Sequence, residues 1–173
     1  MTISPDELEA LRRNSGIALS SDGVWRYRDA RVPHPRVQEL FHRGLELRAD
    51  GQIILNVGKY WCYVTCESVA RFVDGITLRP AEGTFSARLK GGFKVVAERP
   101  PRIAFDPDSR LFVWLPGQPV AVLTQQAHNA IIGHMDVSDQ GQLELALGRV
   151  SWPVASLSAT PEPDATFAGL VTE

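Results

Sequence analysis

A chain of 173 residues, 44% of them hydrophobic and 22% charged, is long enough for one globular body or two small ones, and has enough apolar material for a core. Its formal net charge of −2 argues against a generally basic nucleic-acid binder. No apolar run approaches the ~20 residues of a membrane span, and the opening MTISPDELEALRR lacks a signal peptide's basic start and apolar stretch, so a cytoplasmic location is expected.

That opening reads instead as a helix over 5–13. Ser4 can cap it, Pro5 suits the first helical position, and Glu7 completes a capping box. Leu8 and Leu11 are expected to dock on the body, and Asn14-Ser15-Gly16 ends the helix. A strand starts at Ile17–Leu19, and the Asp22-Gly23 turn leads into Val24-Trp25-Arg26-Tyr27-Arg28. Alternation there puts Trp25 and Tyr27 on a packed face, with Arg26 and Arg28 together on a wet one. Pro33 and Pro35 bracket His34 and launch a helix whose apolar stripe is Val37, Leu40, Phe41 and Leu45. Asp50-Gly51 turns the chain into a strand over 52–57, and Gly58-Lys59 into another over 60–66.

Ser68 to Phe72 reads as a short helical turn. Residues 85–89 and 93–96 form a hairpin around Gly91-Gly92, and Pro100-Pro101 separates it from Ile103-Ala104-Phe105. Leu111-Phe112-Val113-Trp114 parallels the Trp25 strand, with a turn at Pro116-Gly117. Thr124 caps a helix to about Ile132, with Ala127, Ala130 and Ile131 inward. Gln140-Gly141 leads into strand 142–147, and Gly148-Arg149 into 150–155. From Ser156 the composition turns to Ser, Thr, Pro, Asp and Glu, which suits a flexible tail.

The chain nearly repeats itself. GQIILNVGK at 51–59 returns as GQLELALGR at 141–149, each followed by an aromatic-containing stretch. The spacing from the aromatic strand to the glycine turn reads as a few residues shorter in the second unit. The expected architecture is α+β: two structurally similar repeats, each a helix packed on a curved antiparallel sheet, behind a short N-terminal helix. The boundaries are 1–15 for that helix, 16–80 and 81–156 for the repeats, and 157–173 for the tail.

The ordered set Ser21-Asp22-Gly23-Val24-Trp25-Arg26-Tyr27, the helix ending Leu40-Phe41, and Asp50-Gly51-Gln52-Ile53-Ile54-Leu55 resembles a bacterial uncharacterised family, domain of unknown function 1285. That family carries an Asp-Gly-x-Trp-x-Tyr strand, a Leu-Phe helix and an Asp-Gly-x-Tyr-x-Leu strand. The resemblance covers residues 17–66. It implies two similar α+β repeats and a role in signalling, with no defined activity. The family's Glu-Asp-x-Pro-Phe segment is absent: Glu67 is followed by Ser68-Val69-Ala70-Arg71-Phe72. The matching positions are turn glycines and core aromatics, so the resemblance transfers no catalytic residue.

Chemistry is sparse in the remaining residues. Cys62 and Cys66 on one strand would lie ~13 Å apart at ~3.3 Å per residue, beyond the ~7 Å Cα reach of a disulfide. They are expected buried and reduced, consistent with the cytosol. His34, His42, His128 and His134 show no paired ligand spacing, so surface or capping roles are expected and no metal site. There is no Gly-x-Ser-x-Gly elbow or phosphate loop.

The charge is uneven: residues 1–110 hold 17 of the 18 Lys and Arg against 14 acids, and 111–173 hold Arg149 against six. The best ligand surface is the cluster Arg26, Arg28, Arg31, His34 and Arg36, since guanidinium groups suit phosphate or carboxylate. Lys90, Lys94, Arg99 and Arg102 are candidates to extend it. The expectation is a cytosolic binding or regulatory module rather than an enzyme, with no cofactor and no nucleic acid. It would take a small anionic ligand or a protein partner between the repeats, as a monomer or homodimer. The alternative is an enzyme whose acid or base is Glu67, His34 or His134 in an inter-repeat cleft.

Overall fold

A computed structural model describes residues 3–97 and 101–162. Helix α1 (Pro5–Arg13) leads into β1 (Ile17–Leu19), β2 (Trp25–Tyr27) and β3 (Ala30–Arg31). Helix α2 (Pro35–Gly44) precedes β4 (Leu45–Leu47), β5 (Ile53–Val57), β6 (Tyr60–Tyr63) and β7 (Thr65–Cys66). A hairpin-bearing segment follows as β8 (Arg71–Arg79), β9 (Thr84–Leu89) and β10 (Phe93–Ala97). The chain ends in β11 (Arg102–Phe105), β12 (Leu111–Trp114), β13 (Ala121–Leu123), α3 (Gln125–Ile132), β14 (Met135–Val137), β15 (Leu143–Leu147) and β16 (Val150–Ser156). The class is α+β, with mixed sheets.

The strands form a four-stranded sheet β3-β2-β1-β7, a three-stranded sheet β4-β5-β6, and a nine-stranded sheet β10-β9-β8-β13-β12-β11-β16-β15-β14. Register recurs between the halves. Leu45 faces Leu55 and Leu55 faces Cys62, as Met135 faces Leu145 and Leu145 faces Trp152. Leu19 opposes Trp25 and runs parallel beside Cys66, as Phe105 opposes Leu111 beside Ser156. The β1–β2 turn is closed by the Ser20 hydroxyl accepting from the Val24 N–H, and the β11–β12 turn by the Asp106 carboxylate accepting from the Arg110 N–H. Leu111 rather than Trp114 therefore stands at the place of Trp25. The path from there to the second glycine turn is longer, because a full turn and β13 replace the two-residue β2–β3 link.

Alternation along the large sheet builds two cores, one on each face. Ile103, Leu111, Val113, Ala121 and Leu123 join Ala127 and Ile131 of α3 in one. Ala104, Phe112, Val120 and Val122 face the other way and meet Leu19, Trp25, Leu55 and Phe72. The second core thus draws on both halves. Each fully buried side chain of this size contributes on the order of 1.5–3 kcal/mol.

Several expectations change. The capping box of α1 forms: Glu7 N–H donates to the Ser4 hydroxyl and Ser4 N–H to the Glu7 carboxylate. Leu8 and Leu11 do not dock, Leu11 being 61% exposed. The helix is held instead by Arg12 over the Trp61 ring at 4.0 Å and Arg13 over Tyr63 at 4.3 Å. No helical turn forms at Ser68–Phe72. Arg71 and Phe72 open β8, where pairing with Ala121 and Val122 of β13 overrides local preference. Leu40 and Ala130 are exposed, and His42 enters the core in the place expected for Leu40. Leu45 lies in β4, one residue beyond α2. The expected tail begins with packed residues: Leu157 is buried and donates its N–H to Phe105 O, and Thr160 Oγ1 bonds Asp106. The rest of that segment, 163–173, lies outside the described residues.

Candidate functional site

The predicted arginine cluster stays together in part: Arg26 pairs with Arg31 across β2 and β3. Arg28 and Asp29 both take positive φ, +48° and +67°, and close a two-residue turn with Tyr27 opposite Ala30. Arg28 therefore leaves the strand and does not share a face with Arg26; it leans over the Tyr27 ring at 5.2 Å. Tyr27, expected to pack, is 48% exposed. Arg26 Nη1 donates to Asp29 O at 3.1 Å. His34 occupies the N-cap of α2 without a side-chain cap bond, and Arg36 is exposed on the first turn. Arg31 lines a concave site.

That site is a groove of about 480 Å³ between α2 and the β8–β9–β10 segment. Arg31, Gln38, Glu39 and His42 line the helix side; Asp74, Arg88, Lys90 and Gly91 line the other. Gly91 makes the approach possible. Its φ is +92°, and a Cβ there would stand 2.7 Å from the backbone N of Arg43. Arg43 Nε donates to Gly91 O at 3.1 Å and closes that end.

The opposite wall is built by a β-bulge. Val73 pairs with Leu89 and Gly75 with Arg88, leaving Asp74 as the extra residue. Bulges re-aim side chains, and here Asp74 Oδ1 accepts from Arg88 Nε at 2.8 Å. The guanidinium lies across the bare Cα of Gly75, where a Cβ would come within 3.2 Å of Nη2. Asp74 holds the Nε edge, and among the described residues the Nη1/Nη2 fork meets no acceptor. Asp74 also raises the Arg88 pKa, by the hydrogen bond first and its charge second.

His42 forms the floor. Its Nε2 donates to Gly23 O at 3.1 Å, and it lies edge-on to Trp25 and Phe72. Burial, aided by the charge of Lys90, pushes its pKa down to about 4, so it is neutral near pH 7. Lys90 Nζ donates to Gly23 O at 3.2 Å and Asp22 O at 3.4 Å, and burial lowers its pKa.

Asp74, Arg88, Glu39 and His42 were absent from the sequence-predicted set. The available signal was Asp74-Gly75 inside an apolar run, a pattern that marks a bulge. Of the four cations proposed to extend the patch, Lys90 borders the groove. Lys94 is exposed on β10, Arg102 starts β11, and Arg99 lies outside the described residues.

The alternative acid–base groups occupy three separate places. Glu67 accepts from the Ser21 N–H at 3.0 Å beside the β1–β2 turn, His34 starts α2, and His134 follows α3. None lines the groove. Cys62 and Cys66 are both free and half-buried; burial raises the Cys62 thiol and pushes Cys66 up to about 12, so neither suits nucleophilic work. Among the described residues no three His, Cys, Asp or Glu side chains gather to hold a metal, and no helix is long and apolar enough to cross a membrane. A second cavity, of about 350 Å³, lies near Arg13, but that guanidinium already donates to Gln52 Oε1 and the Tyr63 hydroxyl.

Comparison with known proteins places the fold. No protein-family profile matches the sequence, and no curated protein does. Among solved structures, the chain is similar to a DUF1285 family protein from Silicibacter pomeroyi, with TM-score 0.62 and 16% identity, covering 80% of this chain and 78% of that one. It is also similar to a DUF1285 family protein from Shewanella baltica, with TM-score 0.51 and 12% identity, covering 69% and 91%. The chain thus has the fold of DUF1285 family proteins, the family its Asp-Gly-x-Trp-x-Tyr strand and Leu-Phe helix resemble.

Proposed function

We propose that the protein is a non-enzymatic binding module, a divergent DUF1285 member, that takes a small anionic ligand in the α2 groove. One observation carries this reading. The Arg88 fork is fixed at its Nε edge by Asp74 and lines the same groove as Arg31, whose side chain has no hydrogen-bond or ion-pair partner among the described residues. Two guanidinium groups at one concavity suit bidentate contact with carboxylate or phosphate. The free thiols are consistent with a cytosolic setting. We read the architecture as two copies of one unit, supported by the recurring strand registers, with β8–β9–β10 inserted between them.

The test is calorimetric titration with inorganic phosphate and sulfate. Arg31→Ala and Arg88→Ala should each weaken binding about ten-fold or more, the scale of one charge-assisted hydrogen bond. Arg36→Ala should leave it unchanged. Equal affinities across all three variants would discard the groove. A protein partner is the second reading, favoured by β10: it is an edge strand with Val96 55% exposed.

A further inference from the structure

We propose that the ligand of the α2 groove is a zwitterion, a free amino acid or short peptide whose carboxylate and ammonium are both read. The inference rests on the groove being a ligand site, and it narrows what that site accepts.

The groove is not uniformly basic. Arg31 and Arg88 are joined by two carboxylates, Glu39 and Asp74, with Lys90 at the margin. Each carboxylate has one oxygen engaged. Asp74 Oδ1 accepts from Arg88, and Glu39 Oε1 accepts from Arg43 Nη2 at 3.3 Å. Among the described residues Asp74 Oδ2 and Glu39 Oε2 meet no side-chain donor.

A bare anion entering here meets its two cations but also two like charges, which oppose it in a partly desolvated cleft. A ligand with both signs meets a partner for each: its carboxylate on the arginine forks, its ammonium on the outer oxygens of Glu39 and Asp74. Of the remaining lining, His42 is neutral, Leu89 is apolar, and Lys90, a third cation near Asp74, has its Nζ engaged by backbone carbonyls. About 480 Å³ admits an amino acid or a dipeptide, not a folded domain. Mixed charge also gives specificity, since a ligand lacking either group strands a partner without a mate.

The experiment titrates the whole protein with the twenty free amino acids, glycylglycine and inorganic phosphate, then with the amide and N-acetyl forms of the best binder. The expected result is that either modification weakens binding about ten- to a hundred-fold. Arg31→Gln should abolish the preference for acid over amide, and Glu39→Gln the preference for free amine over N-acetyl. A merely structural role for these side chains would weaken all forms alike. If phosphate binds and no amino acid or dipeptide does, the anion reading stands and the zwitterion is overturned. If the blocked forms bind as well as the parent, the zwitterion is likewise overturned. If neither phosphate nor any amino acid binds, the groove reading falls and this inference with it.

Discussion

Replacing Gly91 by Ala tests how the groove is closed. At Gly91 φ is +92°, and the added Cβ would stand 2.7 Å from Arg43 N, 2.9 Å from His42 C and 3.0 Å from Arg43 Cα. All three are backbone atoms in the last turn of α2, so no side-chain rotation relieves them. A non-glycine residue in the left-handed region costs about 1–2 kcal/mol, and forced overpacking adds about 1–3 kcal/mol. Gly91→Ala should therefore destabilise by about 2–5 kcal/mol, or roughly 2–4 °C of Tm per kcal/mol for a chain of this size. Gly92→Ala is the control. Its φ is +85°, but its Cβ would meet only side-chain ends, Arg43 Nη2 at 3.7 Å and Glu39 Oε1 at 3.8 Å. It should cost the backbone contribution alone. Urea unfolding followed by tryptophan fluorescence measures both. If the two variants share one midpoint, the hairpin does not press on α2 and the closed end of the groove does not exist.

Four further outcomes can be measured. Arg71 Nη1 and Nη2 donate to His42 O at 2.9 Å and Leu45 O at 2.7 Å, satisfying carbonyls at the end of α2; an ammonium cannot span both, so Arg71→Lys should cost about 1.5–3 kcal/mol in urea unfolding, and wild-type stability would refute this. His42 titrates near 6.5 when unfolded and near 4 when folded, so the unfolded chain gains its proton first as pH falls. Its contribution is complete above pH 6.5, declines by about 3 kcal/mol toward pH 4 and levels off below; subtracting His42→Gln from wild type across pH 4–7 should show that slope, and a constant difference would sink it. Thr124→Ala, which removes the cap of α3, a helix that buries Ala127 and Ile131, should cost about 1 kcal/mol overall. Ser4→Ala should instead accelerate hydrogen exchange within α1 and leave global stability nearly unchanged, because α1 buries no residue.

What the sequence revealed depended on whether the signal was local. The glycine-anchored strands were legible because turn chemistry and alternation both lie within a few residues: Gly51 and Gly141 each donate an N–H back across the turn, to Arg48 O and Ser138 O. The caps at Ser4 and Thr124 were legible for the same reason. Strands β3, β4, β13 and β14 have two or three residues each, too short to carry a period. Strand β8 was missed because its pairing partner β13 lies far along the chain. Helix α1 misled: Leu8 and Leu11 look like a docking stripe, while its grip comes from arginines on aromatic rings, a contact that hydrophobic periodicity does not score. Of the candidate site, Arg31 stood in the predicted cluster and pointed to one wall, and Lys90 was among the residues expected to extend it. The other wall depends on a bulge at Asp74, created only when β8 meets β9.

The site lies where the surroundings of α2 and α3 differ. By register, Val37 and Phe41 of α2 stand where α3 has Ala127 and Ile131, and all four turn toward the body. The next position inverts the usual order: His42 is buried in α2, whereas its counterpart in α3, Ile132, is 48% exposed. Hydrophobicity alone would bury the isoleucine and expose the histidine. At α2 the β9–β10 turn closes over the end of the helix through Gly91 and Arg43. Covering a polar residue requires a partner for it, which Gly23 O supplies. Asp74, Gly75, Arg88 and Gly91 all belong to the β8–β9–β10 segment, while Arg31, Glu39 and His42 belong to β3 and α2. The groove arises where these two parts of the chain meet, and its mixed charge follows from each contributing an arginine and a carboxylate.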